Sequence, residues 1–471
     1  MGLTLDYTAM FEDAIGVGNG ISPAMLDGLR DIFADTRVDL MARHKAGDMP
    51  VWDLPFDEAT ISNVEAFAEN NRDRFKNFVL SGIGGSALGP IALHNALNHL
   101  QHNLLPDDRR KGCRFFCPDN IDPDLIGDLL DVIDPSETLF NVVSKSGGTA
   151  ETAAQFLIIV DLLKKKLGDD WRRHLVITTD PERGFLREFC NRERIQSFAI
   201  NPGVGGRFSV LTTVGLLPAA MTGIDVRSLC RGAAGMKDAC FNDRLEDNPA
   251  ALLAGMLYLS QSTLNRPIHV FFAYSNRLYP LADWLRQLWA ESLGKRYSTD
   301  GKEIYTGPTP IKAIGATDQH SQVQLYVEGP ADKVFLFMGT RSFNRNVEIP
   351  GTDIKDQTVD YLQGSYLSQL LNAERRATAY ALTSAGRPNM MLEFDEIDAE
   401  HVGAFMYLFE AATLYAGGFY NVNPLDQPGV EAGKRVAYAL MGRPGYEKEL
   451  RVHPETSGYL SRKSRKLKLE L

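Results

Sequence analysis

Three hydroxyl residues, Ser144, Ser146 and Thr149, share a short stretch with Gly147, Gly148 and Lys145. An apolar run, Thr138 to Val143, precedes it and predicts a buried strand. Ala150 to Leu167 follows with the spacing of a long amphipathic helix. A strand that turns sharply into a helix leaves backbone N–H groups free at the helix start, where the dipole adds partial positive charge. Hydroxyls, glycines that let the backbone come close, and the lysine complete a cradle for a phosphate or carboxylate group. The GxxxxGK[ST] pattern of a nucleoside triphosphate loop is missing, so the cradle suits a phosphorylated metabolite. The ordinary alternative is a strand–helix loop whose Ser and Thr only cap the helix.

Other residue types add acid–base chemistry. Gln287 and Glu291 are four apart on a predicted 281–293 helix and share a face. Trp284 and Leu288 lie on the same side, so Glu291 sits at an apolar edge. Partial desolvation there strengthens a carboxylate as a base near neutrality. The local pattern fits a boundary glutamate paired with Lys295 at least as well. His320, in a Gly/Thr/Gln loop, has the residue type for proton exchange near pH 7, or for a structural hydrogen bond. Arg207 follows Gly203-Val204-Gly205-Gly206 and precedes an uncharged run to Ile224. A charge at the entry to buried structure needs a partner or a ligand. The set holds no Ser-His-Asp pattern, no metal-ligand spacing and no complete dinucleotide fingerprint; the loop from Gly82 to Ala87 ends in Ala where GxGxxG has Gly. These residue types suit proton transfer on a sugar phosphate.

The elements that must position them read as alternating strands and helices from Lys76 onward. Strands are predicted at 78–80, 113–117, 138–143, 174–178 and 196–200. A second series follows at 269–273, 334–338 and 390–394. Repeated β-α units imply an α/β fold with mainly parallel sheets covered by helices, and ligands at the carboxyl ends of strands. Residues 1–70 read as helices and loops, and 294–322 as loop-rich. Pro428 suits the first turn of a C-terminal helix, which would set Gln427 and Lys434 towards one side. The chain has 471 residues, 44% hydrophobic and 23% charged, with a net charge of -10, which disfavours a generic nucleic-acid binder. Five cysteines without a dense pattern point to free thiols in a reducing compartment, and Cys113 with Cys117 to a strand rather than a metal site. No signal peptide interrupts this picture. The charge-free stretch 77–106 is too polar for a membrane span, so the expected location is the cytoplasm. The basic run Arg462 to Lys468 reads as a solvated tail or helix end.

Taken in order, six stretches resemble the phosphoglucose isomerases: Gly82 to Ser86, Ser144 to Thr149, Val204 to Ser209, Glu291 to Lys295, Gln319-His320, and Asp426 to Lys434. The resemblance spans about residues 75 to 445, in the compact bacterial form. It implies two sugar-isomerase-type domains at 71–230 and 231–425, after an N-terminal helical segment (1–70) and before a C-terminal helical arm (426–471). It implies interconversion of glucose 6-phosphate and fructose 6-phosphate with no metal or organic cofactor. By resemblance, Ser144, Ser146 and Thr149 hold the phosphate with Lys145 nearby, Gly85 and Ser86 line the sugar site, and Gln287 and Gln427 contact substrate. Glu291 corresponds to the base that moves a proton between C2 and C1. Arg207 stabilises the enediolate, and His320 and Lys434 serve ring opening. The family is usually a homodimer, with the histidine acting in the partner's site. Two features depart from many relatives: Ser146-Gly147-Gly148-Thr149 replaces Thr-Phe-Thr-Thr, and Asp318 replaces a glycine before Gln319-His320. Other readings are a non-catalytic sugar-phosphate sensor, which need not keep Glu291, Arg207, His320 and Lys434, and a dual isomerase that also takes mannose 6-phosphate.

Overall fold

The structure is a computed structural model, and it describes residues 2–452. The basic run 462–468 lies outside them. The strands, in chain order, are β1 (Leu3–Asp6), β2 (Asn77–Ser81), β3 (Arg114–Phe116), β4 (Thr138–Ser144), β5 (Leu175–Thr179), β6 (Gln196–Ala199), β7 (Ile268–Ala273), β8 (Lys295–Tyr297), β9 (Glu303–Thr306), β10 (Thr309–Ile314), β11 (Lys333–Ser342) and β12 (Asn389–Glu396). One sheet has the order β3-β2-β4-β5-β6, all parallel. The other has the order β1-β12-β11-β7-β10, parallel except for β1. The mixed α/β fold with mainly parallel sheets is as expected.

Strands β2, β4 and β5 are buried along their whole length. That is why they read as continuous apolar runs rather than alternating ones. Val79, Phe140, Val142 and Ile177 from the first sheet pack with Phe156, Ile159 and Leu163 of the Ala150–Leu167 helix. In the second sheet Phe272 and Phe337 stack with ring centroids 5.3 Å apart beneath Tyr326. The long Ala399–Phe419 helix is buried nearly throughout. Among the described residues no helix is long and apolar enough to cross a membrane.

Three elements differ from the sequence reading. β1 lies in the segment read as helices and loops, and pairs antiparallel with β12 through Leu3–Phe394 and Leu5–Leu392. A four-residue edge strand carries too little periodicity to stand out. The loop-rich stretch 294–322 contains the β8–β9 hairpin and β10, which pairs parallel with β7. Its Pro310 and Lys312 hide the strand, and their tolerance fits its place at the sheet edge. Pro428–Val430 is a 3-10 turn, and the α-helix starts only at Glu431. Gln427 and Lys434 therefore do not lie on one continuous helix. Among the described residues, 2–424 and 425–452 belong to two separate units.

Candidate functional site

The loops after β2 and β4 leave the carboxyl end of the first sheet. In the 144–149 loop, Ser144 Oγ accepts from the Gly147 N–H at 3.1 Å, and Ser146 Oγ accepts from the Gly148 N–H at 3.2 Å. These two hydroxyls shape the turn. Thr149 is the N-cap residue of the Ala150–Leu167 helix, yet its hydroxyl makes no capping bond. A half-buried Thr hydroxyl at a helix start without a cap bond is open to an anion. Lys145 Nζ donates to the Val204 carbonyl at 3.1 Å and to the Pro202 carbonyl. Burial holds its pKa below the ordinary lysine value, against the opposing pull of Asp180. Lys145 thus ties the cradle to the loop that leads into Arg207.

That loop meets the 82–86 loop at van der Waals distance. A Cβ on Gly85 would lie 2.2 Å from the Gly206 carbonyl carbon and 2.6 Å from the Arg207 nitrogen. Only glycine permits the crossing. The Ser86 hydroxyl beside it has no hydrogen-bond partner among the described residues. Arg207 is 3% exposed. Its Nε donates to Ser292 Oγ at 2.7 Å, its Nη2 to the Pro424 carbonyl, and its Nη1 lies 3.5 Å from Glu291 Oε1. Gln287 Nε2 donates to the other Glu291 oxygen at 3.0 Å. The Gln287 Oε1 is buried with no hydrogen-bond partner among the described residues, an acceptor awaiting a donor. Trp284 and Leu288 are buried, and the Glu291 side chain is 25% exposed. Lys295 Nζ donates to the Glu291 backbone carbonyl at 3.0 Å.

The structure therefore brings together Gly85, Ser86, Arg207, Gln287 and Glu291, with the 144–149 cradle joined to them through Lys145. Ser292 is the residue that sequence reasoning passed over. Its only signal was a small hydroxyl beside Glu291, and nothing local says that it would face Arg207.

His320 is placed elsewhere. It is exposed and its imidazole makes no hydrogen bond or ion pair among the described residues. It follows the Thr317–Gln319 turn beyond the carboxyl end of β10, and Gln319 Oε1 accepts from the Tyr274 hydroxyl at 2.7 Å. The Tyr279–Leu293 helix starts at that same end of the sheet and runs back along it. Its far end meets Gly307, just before β10 begins: a Cβ on Gly307 would lie 2.6 Å from the Gly294 Cα. Glu291, twelve residues into the helix, is roughly 18 Å along its axis from the His320 end. One chain thus sets His320 and Glu291 at opposite ends of the second sheet. Asp318, the departure noted above, has a structural role. Its carboxylate accepts from the Ile314 N–H and the Ser321 hydroxyl, each at 2.7 Å. Burial raises its pKa, but those bonds outweigh it and hold the carboxyl below its ordinary value.

Gln427 and Lys434 belong to the 425–452 unit, where Lys434 pairs with Glu431 at 2.9 Å. Glu396, Asp398 and His401 lie close enough together for a metal ion. Their geometry is that of a helix start: Asp398 accepts from the His401 N–H at 2.8 Å and pairs with its Nδ1 at 2.7 Å. All five cysteines are unpaired.

Comparison with known proteins agrees across nearly the whole chain. A family model described as phosphoglucose isomerase matches residues 63–459. A glucose-6-phosphate isomerase from Carboxydothermus hydrogenoformans is 43% identical over 450 residues, covering 95% of this chain and 97% of that one. Another from Rubrobacter xylanophilus is 48% identical over 386 residues, covering 82% and 87%. Among solved structures, a hypothetical protein from Thermus thermophilus superposes with a TM-score of 0.82 at 39% identity, covering 93% of this chain and 100% of that one. Matched over most of its length and at these identities, the chain belongs to the phosphoglucose isomerase family.

Proposed function

We propose that this protein interconverts glucose 6-phosphate and fructose 6-phosphate by proton transfer, with Glu291 as the base. The observation that carries this reading is the Arg207–Glu291 pair: a buried guanidinium 3.5 Å from a carboxylate that still reaches solvent. A base needs access to the substrate, and the enediolate formed when it takes the C2 proton needs a fixed positive charge. Arg207, held by Ser292 and the Pro424 carbonyl, is preorganised for that charge. Glu291 then returns the proton to C1. The 144–149 loop holds the phosphate through Thr149, backbone N–H groups and the serine hydroxyls, with Lys145 fixing the loop. Gly85 and Ser86 border the sugar, and Gln287 keeps Glu291 oriented while its free Oε1 accepts from a sugar hydroxyl. By resemblance to the family, Gln427 contacts substrate and Lys434 serves ring opening.

His320 serves ring opening in a second copy of the chain. Its separation from Glu291 within one subunit supports this reading, and it makes the active form a homodimer with shared sites. A reducing, cytoplasmic setting fits the five unpaired thiols.

The test is Glu291→Gln assayed on fructose 6-phosphate, with binding of sorbitol 6-phosphate, which has no carbonyl, measured in parallel. Loss of the general base costs about 10²–10⁴ in kcat with binding retained. Tight binding without turnover in the wild type would move the chain to the sensor class.

A further inference from the structure

The two sheets share a strand plan. In the first, the chain goes from β2 to β3 on one side, then returns to β4 on the other side and on to β5. In the second it goes from β7 to β10 on one side, then returns to β11 on the other and on to β12. Each sheet therefore has a switch point, between β2 and β4 and between β7 and β11. At a switch point the connecting segments diverge and leave a crevice outside the carboxyl ends of the strands, where ligands of open α/β sheets bind. The first crevice is bordered by the 82–86 and 144–149 loops already described. The second has no role in the proposed isomerisation.

The second crevice is a cavity of about 410 Å³, bordered by Ser275, Asn276 and Arg277 after β7 and by Asn344 and Arg345 after β11, with His99 alongside. That volume suits a molecule of one-sugar size. Its lining contains two guanidinium groups and no carboxylate. Arg277 Nη1 donates to the Ala96 and Asn98 carbonyls at 2.8 and 2.6 Å, so neutral acceptors hold it and its charge is not cancelled. Burial lowers the Arg277 pKa, and the nearby Arg345 charge adds to the effect. Arg345 is exposed and makes no hydrogen bond or ion pair among the described residues. Two uncompensated cations beside amide and hydroxyl donors match a phosphate monoester, which carries about −1.5 to −2 charges at neutral pH. Two helices run from this crevice to the first site: Leu88–Leu97, which starts just after Ser86, and Tyr279–Leu293, which carries Gln287 and Glu291.

We propose that the crevice between the carboxyl ends of β7 and β11 is a second, non-catalytic binding site for a small phosphorylated metabolite. The test is calorimetric titration of the full-length protein with sorbitol 6-phosphate, and separately with inorganic phosphate. Two sites per chain are expected for the wild type. Thr149→Val weakens one of them. Arg345→Glu weakens the other by at least about tenfold, because a charge-assisted contact becomes a repulsion, and leaves turnover of fructose 6-phosphate in place. Asn344→Asp, a smaller change on the same rim, weakens the same site and guards against a folding defect in the first variant. A single site per chain, or two sites that both survive Arg345→Glu and Asn344→Asp, overturns the proposal. Failure of the isomerase reading would show separately, as absent turnover with this site intact.

Discussion

Replacing Gly85 by alanine adds one methyl group at the point where two loops cross. The new Cβ would lie 2.2 Å from the Gly206 carbonyl carbon, 2.4 Å from its oxygen and 2.6 Å from the Arg207 nitrogen. All three are backbone atoms, so no side chain can rotate away. Restoring the closest contact from 2.2 Å to an ordinary 3.4 Å requires a shift of about 1.2 Å. The segment that must yield carries Arg207, whose hold on Ser292 spans 2.7 Å and whose Nη1 stands 3.5 Å from Glu291. A displacement of about 1 Å at a charge-stabilising group costs on the order of 10² in rate. The overpacking itself lowers stability by about 1–3 kcal/mol. We expect Gly85→Ala to fold, to lose about a hundredfold in kcat, and to keep most of its affinity for sorbitol 6-phosphate, because the 144–149 cradle stands on another strand. The assay is fructose 6-phosphate turnover, with thermal unfolding and calorimetric binding on the same preparation. Gly127→Ala is the control: a Cβ there meets nothing within 4 Å inside the Pro123–Val132 helix. It should gain about 0.5–1 kcal/mol of stability with unchanged kcat. A folded Gly85→Ala enzyme with kcat within about threefold of wild type would refute the reasoning that this crossing sets Arg207.

Further outcomes follow from other contacts. Ser292→Ala removes the buried acceptor of the Arg207 Nε–H. A lost bond to a charged group costs about 1.5–3 kcal/mol, so kcat should fall about tenfold to a hundredfold with KM little changed; an unaltered kcat would show that Arg207 does not depend on Ser292. Glu291→Gln and His320→Asn should each be inactive alone, yet refolding them together should restore about one quarter of wild-type activity, since half the dimers would carry one intact site. No recovery would place His320 and Glu291 in the same subunit's chemistry. Glu410 is 2% exposed and neither oxygen has a hydrogen-bond partner among the described residues, so burial pushes its pKa well above the ordinary 4.5. The unfolded chain ionises first, so its contribution to stability is complete below pH 4.5 and declines as pH rises towards the folded value. Glu410→Leu should remove that decline and stabilise the protein by about 1–3 kcal/mol at pH 8. Urea midpoints at pH 5, 7 and 8 check it, and an unchanged pH slope in the variant would sink the idea.

Much of the architecture follows from local pattern alone. The buried strands β2, β4 and β5 and the Ala150–Leu167 helix stand close to where the sequence puts them, because a fully buried strand and an amphipathic helix each carry a distinct period. The loop from Ser144 to Thr149 is legible for the same reason: a strand end, a helix start and the hydroxyls between them are neighbours in the chain. The order of the six short stretches likewise carried the family. What the periods could not express is which loop touches which. Gly85 meets Gly206, Arg207 meets Ser292 and Glu291, and Lys145 meets Val204 only after two sheets and their helices have packed. β1 and β10 take their strand conformation from the neighbours that pair with them, not from their own few residues. The separation of His320 from Glu291 depends on the Tyr279–Leu293 helix running back along its sheet, a direction set by parallel strand pairing. Local pattern settles what lies within a helical turn or a strand of a residue. Contacts between residues far apart in the chain are chosen by burial and steric fit over the whole fold, and a one-dimensional pattern does not contain those distances.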